Sequence, residues 1–497
     1  MLWPALLAEP LATIAGQMSA LPNPPAGTAE LADDHLGALV GRLMPSGTWV
    51  TGARHAGAEP IWTGRSRPYD ESTLRKRAHE FAYHGATALV ARAVEATVAK
   101  AVEESGEKAV AYTDMFDQVY WTKKPAYAAP IGNRDNQLLA ATYFGLTFVR
   151  PSNGPALAYS ISWHKPASPL QDALEALHAE PRRSEWLTHQ IGLHIWDRGG
   201  SGRPTLRWAL RQGIPYLTLD KKATHWTRFR RPPRVHTRSR VPVFTRRDRR
   251  VTRGSPRGSR PEEVIFPARP DKGRKASKAL RYHTGAPLPS NKLRTLDRVY
   301  KTRWPSNENP IKALIAVGVD RNLDRGLTPT TSRGTDGRLA RLEARERVLG
   351  GKIDAFKPTS ISQAIREARP LFREKRKCAK ERAAINAVPV TKGARMAAGA
   401  ELLCKSLMLL MYNTLLLLLG RSTMDAVRAM TPWRAYQLIL GRNALVTSDE
   451  HTITLWVDPV TSALDRRLQD ELARLIDSRG LTLRGRSLHV RIRDPHG

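Results

Sequence analysis

Three acids stand where predicted elements end: Asp114 closes the run AVAYTD, Asp197 closes GLHIW, and Glu308 lies one turn past Pro305 in RWPSNEN. Carboxylates are natural ligands of hard divalent cations such as Mg2+ or Mn2+, which keep waters that a substrate can replace. Two such ions roughly 3.5–4 Å apart stabilise both the attacking and the leaving oxygen of an in-line displacement at a phosphodiester. In that arrangement Asp114 bridges both ions while Asp197 and Glu308 each hold one, and no serine, tyrosine or cysteine nucleophile is needed. Each acid also has a plainer reading. Asp197 suits an N-cap or loop, Glu308 suits a solvated helix, and Asp117, three residues after Asp114, is the alternative first ligand.

For the acids to meet, the intervening elements must form one sheet with a helix beside it. Leu193, Ile195 and Trp196 read as a buried strand, so Asp197 falls at its C-terminal end, where α/β sheets open their ligand crevices. Gly199, Gly200 and Gly202 are expected to let the backbone turn sharply before the helix TLRWALRQG, which ends at Gly213. Upstream, AVAYTD (109–114), QVYWTKK, NQLLAATYFGLTFV (136–149) and ALAYSISWH (156–164) suggest an antiparallel set of strands. A helix, PLQDALEALHAE (169–180), the Gly192–Trp196 strand and IPYLTLD (214–220) follow. This is the order of an RNase H-like mixed α/β (α+β) sheet with flanking helices, though fold alone does not give function. Leu293, Leu296, Val299 and Tyr300 recur at helical spacing ahead of Glu308, and Pro310 predicts that the following helix bends or ends within a turn.

The 497 residues carry 80 Lys and Arg against 46 acids, a net charge of +34, which favours a polyanionic partner. Nucleic acid is the first expectation, bound in a strongly salt-dependent way. A basic RNA- or ribosome-associated protein without catalysis is the alternative from another class. The densest charge follows Asp220 in HWTRFRRPPRVHTRSRVPVFTRRDRR, where Trp226, Phe229 and Phe244 interleave with arginines. Arg228, Arg230, Arg231, Arg246 and Arg247 are candidate DNA contacts there, because guanidinium forks match phosphates and stack on bases. A disordered basic linker is the plainer reading of the same stretch.

Cys378 and Cys404 lack metal-ligand spacing and suggest no disulfide framework, which fits a reducing cytoplasm. The apolar N-terminus has no basic n-region and is interrupted by Glu9 and Pro10, so no signal peptide is expected. Leu407–Leu419 is shorter than the roughly 20 residues of a membrane span and reads as a buried helix, so no membrane partner is expected. No GxxxxGK phosphate loop occurs. The expected organisation is a poorly ordered segment at 1–70, a helical packing element at 71–105, and a catalytic domain at 106–345. That domain carries a basic β-rich insertion at about 221–290, and a helical and small α+β region occupies 346–497.

The series YTD, YWTKKPAY, NQLLAATYFG, IWDRGGSG, YKTRWPSNEN, LMLLMYNTLLLLL and ITLWVDP resembles, in order and wording, the DDE transposases of bacterial insertion sequences. The likeness is greatest to large members with an Arg-Trp…Glu-Asn signature in the third-acid helix. It runs from about residue 108 to the C-terminus. The resemblance implies an RNase H-like core, Asp114, Asp197 and Glu308 as the metal-binding acids, and Tyr300 and Arg303 as helix residues that touch DNA. It also implies Mg2+ (or Mn2+), cleavage at terminal inverted repeats, and joining to target DNA by a liberated 3′-hydroxyl. A cytoplasmic, nucleoid-associated protein, compatible with a homodimer on DNA, would follow. The chain departs from the pattern after Glu308-Asn309, where Pro310-Ile311-Lys312-Ala313 replaces the usual aromatics.

Overall fold

The stretch Ala109–Phe116 alternates small and aromatic side chains and is buried on both faces, as a central strand must be. In the computed structural model it begins β1 (Ala109–Trp121), a single strand that takes in both AVAYTD and the start of QVYWTKK. The structure describes residues 2–20, 28–46, 59–63, 65–121, 139–164, 168–220, 224–225, 234–236, 243–247, 262–267, 278–285, 296–316, 318–319, 328–330, 333–357, 363–387, 393–395 and 398–494. β2 (Leu139–Arg150) and β3 (Leu157–His164) add antiparallel on one side of β1. On the other side β4 (Ile191–Trp196) and β5 (Tyr216–Leu219) add in parallel.

The parallel connections require crossovers, and helices supply them. Leu170–Leu177 and Pro181–Gln190 precede β4, and Arg203–Arg211 precedes β5. The second of these helices was not expected: Pro181 opens it and the Glu180 carboxylate caps it by accepting from the Arg183 N–H at 2.7 Å. Beyond β5 the basic region contributes β6 (Thr224–His225), β7 (Arg234–His236), β8 (Val243–Arg247), β9 (Glu262–Pro267) and β10 (Lys278–Thr284). These extend the same sheet. The order is β3-β2-β1-β4-β5-β10, continuing through β9 and β8 to β7, with β6 paired to β10.

The 22-residue helix Ala398–Leu419 packs across β3 and the helix Ala86–Ser105, with Leu403, Leu407, Leu410, Met411 and Leu415 buried. It is therefore part of the central core. Its Ala400–Leu419 stretch is long and apolar enough to cross a membrane, but 78% of the apolar window is buried inside the protein. Asn413 on this helix receives the Ala158 N–H at 2.8 Å and donates to the Ala158 carbonyl at 2.7 Å, satisfying backbone groups on β3 that no neighbouring strand reaches.

The described part of residues 1–70 is helical where poor order is expected. Helices Ala8–Ser19 and Thr28–Ser46 bring Leu11, Ile14, Met18, Leu39 and Leu43 into the main core. The buried Arg42–Glu59 pair at 2.7 Å holds the segment down, and Glu59 also accepts from the Tyr69 backbone N–H at 2.9 Å. Three- and four-residue apolar spacing is present in these helices, but Pro, Gly and Ala dilute it.

Two further pieces complete the described fold. β11 (Thr328–Thr330) pairs with β12 (Gly393–Arg395), and between them lies a hairpin of the helices Arg333–Asp354 and Arg369–Ala387. At the C-terminus β13 (Ala444–Ser448), β14 (Thr452–Val457), β15 (Thr482–Leu483) and β16 (Arg486–Ile492) form a second sheet in the order β13-β14-β16-β15. The helix Ala463–Asp477 packs on it, as the expected small α+β unit requires.

Candidate active site

Thr113 on β1 lies opposite Trp196 on the parallel strand β4, so Asp197 emerges where β4 ends, beside Asp114, which lies within β1 as that strand runs on to Trp121 and is not at the strand end expected for it. Apolar burial fixes this register: Tyr112 and Ile195 face each other, and both are buried. Trp196 is buried against Tyr216 with ring centroids 5.2 Å apart. A Cβ on Gly200 would stand 2.5 Å from Trp196 Cδ1 and 2.9 Å from Leu170 Cδ2. Gly200 is thus required by close packing. The chain turns through a 3-10 turn at Arg198–Gly200, and none of Gly199, Gly200 and Gly202 adopts a positive φ, so the turn does not draw on the left-handed freedom of glycine. Gly213, where the next helix ends, does so at φ 68°.

The third acid arrives on Leu296–Lys301 and its continuation. Tyr112 and Thr302 hydroxyls meet at 2.9 Å, and Arg150 reaches Ser306 Oγ at 3.5 Å, tying this helix to β1 and β2. Trp304–Glu308 forms a π turn, in which the Asn309 N–H bonds to the carbonyl of Trp304 five residues back. In a regular α-helix Arg303 and Glu308 would be turned roughly 140° from each other. The wider turn brings them into line. It also precedes Pro310, whose ring would crowd the preceding turn of a regular helix. The helix runs on through Pro310 as Asn309–Ala316, so the expected break does not occur and Glu308 faces the crevice.

All three acids converge on one guanidinium. Arg303 donates to Asp114 Oδ2 at 3.0 Å, lies 3.4 Å from Asp197 Oδ1, and donates to Glu308 Oε1. The Arg303 side chain is only 12% exposed. Asp114 also accepts from the Met115 N–H at 2.8 Å. Burial, followed by repulsion from Asp197, nonetheless pushes the Asp114 carboxyl up to about 6, with Arg303 pulling the other way. Asp197 retains its plainer role as well, its Oδ2 accepting from the Gly199 N–H at 3.4 Å to cap the turn that follows. Asp220, at the end of the next parallel strand, is tied instead to His283 at 3.3 Å.

Asn307 was missed by sequence reasoning. It is fully buried, its Nδ2 lies 3.5 Å from Asp114 Oδ2, and its Oδ1 has no hydrogen-bond partner. An orphaned buried oxygen next to a partly neutralised carboxylate suits a cation or a water. With Asp114, Asp197 and Glu308 it makes an all-oxygen donor set of the kind that Mg2+ and Mn2+ take. Among the described residues no group of three His, Cys, Asp or Glu is arranged to hold a metal directly, and the positive charge between the acids is Arg303.

Tyr300 is 9% exposed, set edge-on to Tyr282 at 5.3 Å and 5.8 Å from the Arg303 guanidinium carbon. Burial pushes its hydroxyl up to about 12. It packs against Arg303 from within the protein. Arg246 and Arg247 lie on β8 in register with Glu263 and Glu262 of β9. Arg228, Arg230 and Arg231 lie outside the described residues. Asp117, on β1 opposite Tyr143, has its side chain outside the described residues. Comparison with known family models and with curated proteins finds no match to this chain.

Proposed function

We propose that this protein is a divalent-metal-dependent DNA transposase with an RNase H-like core, cutting and rejoining phosphodiester bonds at the ends of an insertion sequence. The observation that carries the reading is the convergence of Asp114, Asp197 and Glu308, from three distant segments, on a single guanidinium where β4 ends beside the longer parallel strand β1. The order of the central strands and the likeness to DDE transposases support the same reading.

Asp114, Asp197 and Glu308 would hold the ions, with Asn307 Oδ1 beside them. Bound divalent ions supply charge stabilisation at the attacking and leaving oxygens of a phosphodiester. The chain's own contribution is to fix Asp114 within β1, Asp197 at the end of β4 and Glu308 on a helix tied to the sheet through Thr302 and Ser306. Arg303 offsets part of their charge, and its fork matches a phosphate as well as a carboxylate.

The test is incubation of the protein with Mg2+ and linear DNA carrying the sequences that flank its gene. Nicks at defined ends that disappear with Asp197→Asn are expected, and cutting that persists in that variant counts against the assignment. One observation favours a second reading, a transposase-derived DNA-binding protein that no longer cuts: Arg303 already stands between the acids as their shared counter-ion. DNA binding without nicking by the wild-type protein, in either Mg2+ or Mn2+, would select it.

A further inference from the structure

The helices Arg333–Asp354 and Arg369–Ala387 pack on each other around a small core of their own, Leu342, Leu349 and Cys378 with Leu371 beside them. Charge zips the inner edges together. Arg338 donates to Glu381 at 2.9 Å, Arg382 lies 3.2 Å from Glu346, and Arg345 pairs with Glu374. These pairs consume the acids Glu374 and Glu381 on the inward side of the second helix.

The outward side is different. Arg369, Arg373, Arg376, Lys377 and Lys380 are all exposed and fall at i, i+4, i+7, i+8 and i+11, a single stripe of an α-helix. Among the described residues no acid pairs with any of the five. At about 1.5 Å per residue the stripe is about 16 Å long, enough to follow several phosphates of one duplex strand. The helix turns Leu371 and Cys378 to the partner helix, and Phe372 is the one large apolar side chain it exposes among the described residues, which is not the continuous apolar stripe with which an amphipathic helix enters a membrane.

We propose that this hairpin is an arm that grips the sugar-phosphate backbone of duplex DNA through the Arg369–Lys380 stripe, without reading base sequence. The choice of DNA rests on the functional reading above. The arm adds a phosphate-binding surface separate from the three acids and from the arginine-rich segment after β5.

The experiment measures affinity of the full chain for a duplex DNA of arbitrary sequence over a range of salt concentrations. Each lost phosphate contact lowers the magnitude of the log K against log salt slope by about 0.9. Replacing Arg369, Arg373, Arg376 and Lys380 together by Gln is expected to make the slope shallower by about 3 to 4. A control in which the exposed Lys100, Arg211, Arg421 and Arg479 are replaced by Gln should change it far less. Equal losses in the two variants would reduce the effect to net charge and overturn the proposal, as would an unchanged slope. A loss on duplex RNA with none on duplex DNA would overturn it too.

Gln is a good helix former, and continued protection of the buried Cys378 thiol reports that the hairpin remains folded. Should the fourfold variant unfold, Arg376→Gln alone is expected to lower the slope by about 0.9, and no change in that variant overturns the arm. Failure of cleavage with the slope loss intact removes the nuclease reading and keeps the arm. Normal cleavage with an unchanged slope does the reverse.

Discussion

Thr113 and Asp114 are consecutive on β1, yet their surroundings solve opposite problems. Thr113 is fully buried and sits in a closed chain: its hydroxyl meets Thr147 Oγ1 at 2.8 Å and His194 Nε2 at 2.8 Å. Burial, then repulsion from His178, pulls His194 down to about 3, so the imidazole is neutral and the chain carries no charge to compensate. One residue on, Asp114 meets two other acids and a single arginine, with a buried Asn307 oxygen left unsatisfied beside it. The first region is finished by folding. The second keeps negative charge that Arg303 alone does not match and that a proton on Asp114 or a further cation would balance, the kind of unfinished balance in which functional sites differ from structural polar networks.

The largest expected effect lies on the unfinished side. Asp114→Asn, Asp197→Asn and Glu308→Gln should each lower metal-dependent DNA cleavage by more than about 100-fold, because removal of a direct ligand exceeds the cost of losing its outer partners. Thr113→Val should leave the divalent-metal dependence of cleavage where it was. Comparable metal dependence in Asp197→Asn and wild type would erase the distinction between the two regions.

Arg303→Ala sharpens it in another way. Removing the shared guanidinium leaves three partly buried carboxylates facing one another, and breaking a buried ion pair costs about 3–5 kcal/mol. Thermal unfolding should therefore drop markedly in chelator. Added Mg2+ should recover more of that loss in the variant than it adds to wild type, since the ion takes over the role of counter-charge. Equal Mg2+ shifts in the two proteins would mean that Arg303 and the ion do not share a place.

Protonation gives opposite signs on the two sides. Asp114 is raised from 3.8 to about 6 in the fold, so the stability it contributes is fully present below pH 3.8 and lost as pH rises through about 6. Asp114→Asn, which cannot ionise, should stabilise the metal-free protein by about 1–3 kcal/mol at pH 7 and by nothing near pH 4. His194 is lowered from 6.5 to about 3, so its contribution is present above pH 6.5 and is lost as pH falls toward 3. Chemical denaturation of the two proteins across pH 4 to 8 measures both. The smallest effect is that of Thr113→Val: about 1–2 kcal/mol from leaving His194 Nε2 unpaired.

Sequence reading reached the parts of the site that local pattern controls. Asp197 was legible because an apolar run that stops on an acid before glycines marks a strand end, whereas Asp114, read as closing AVAYTD, lies within a strand that runs on to Trp121. The parallel register that sets them side by side follows from burial of Tyr112 and Ile195 and agrees with the expected strand order. Asn307 was not legible, because its importance lies in a long-range contact with Asp114. Nor was the π turn, since a bond to the fifth residue back has no simple sequence signature, and Pro310 read alone points to a break. The arginine that the sequence suggested for DNA instead binds the acids in this arrangement, an outcome decided by charge once the fold has formed.

The central claim is that Asp114, Asp197 and Glu308 form one divalent-cation pocket. Titration of Mn2+ into metal-free protein, followed by the loss of the free-ion paramagnetic resonance signal, tests it without DNA or turnover. Saturable binding that Mg2+ competes away, and that Asp197→Asn and Glu308→Gln each abolish, is the expected result. Binding of the same strength and stoichiometry in wild type and both variants would contradict it.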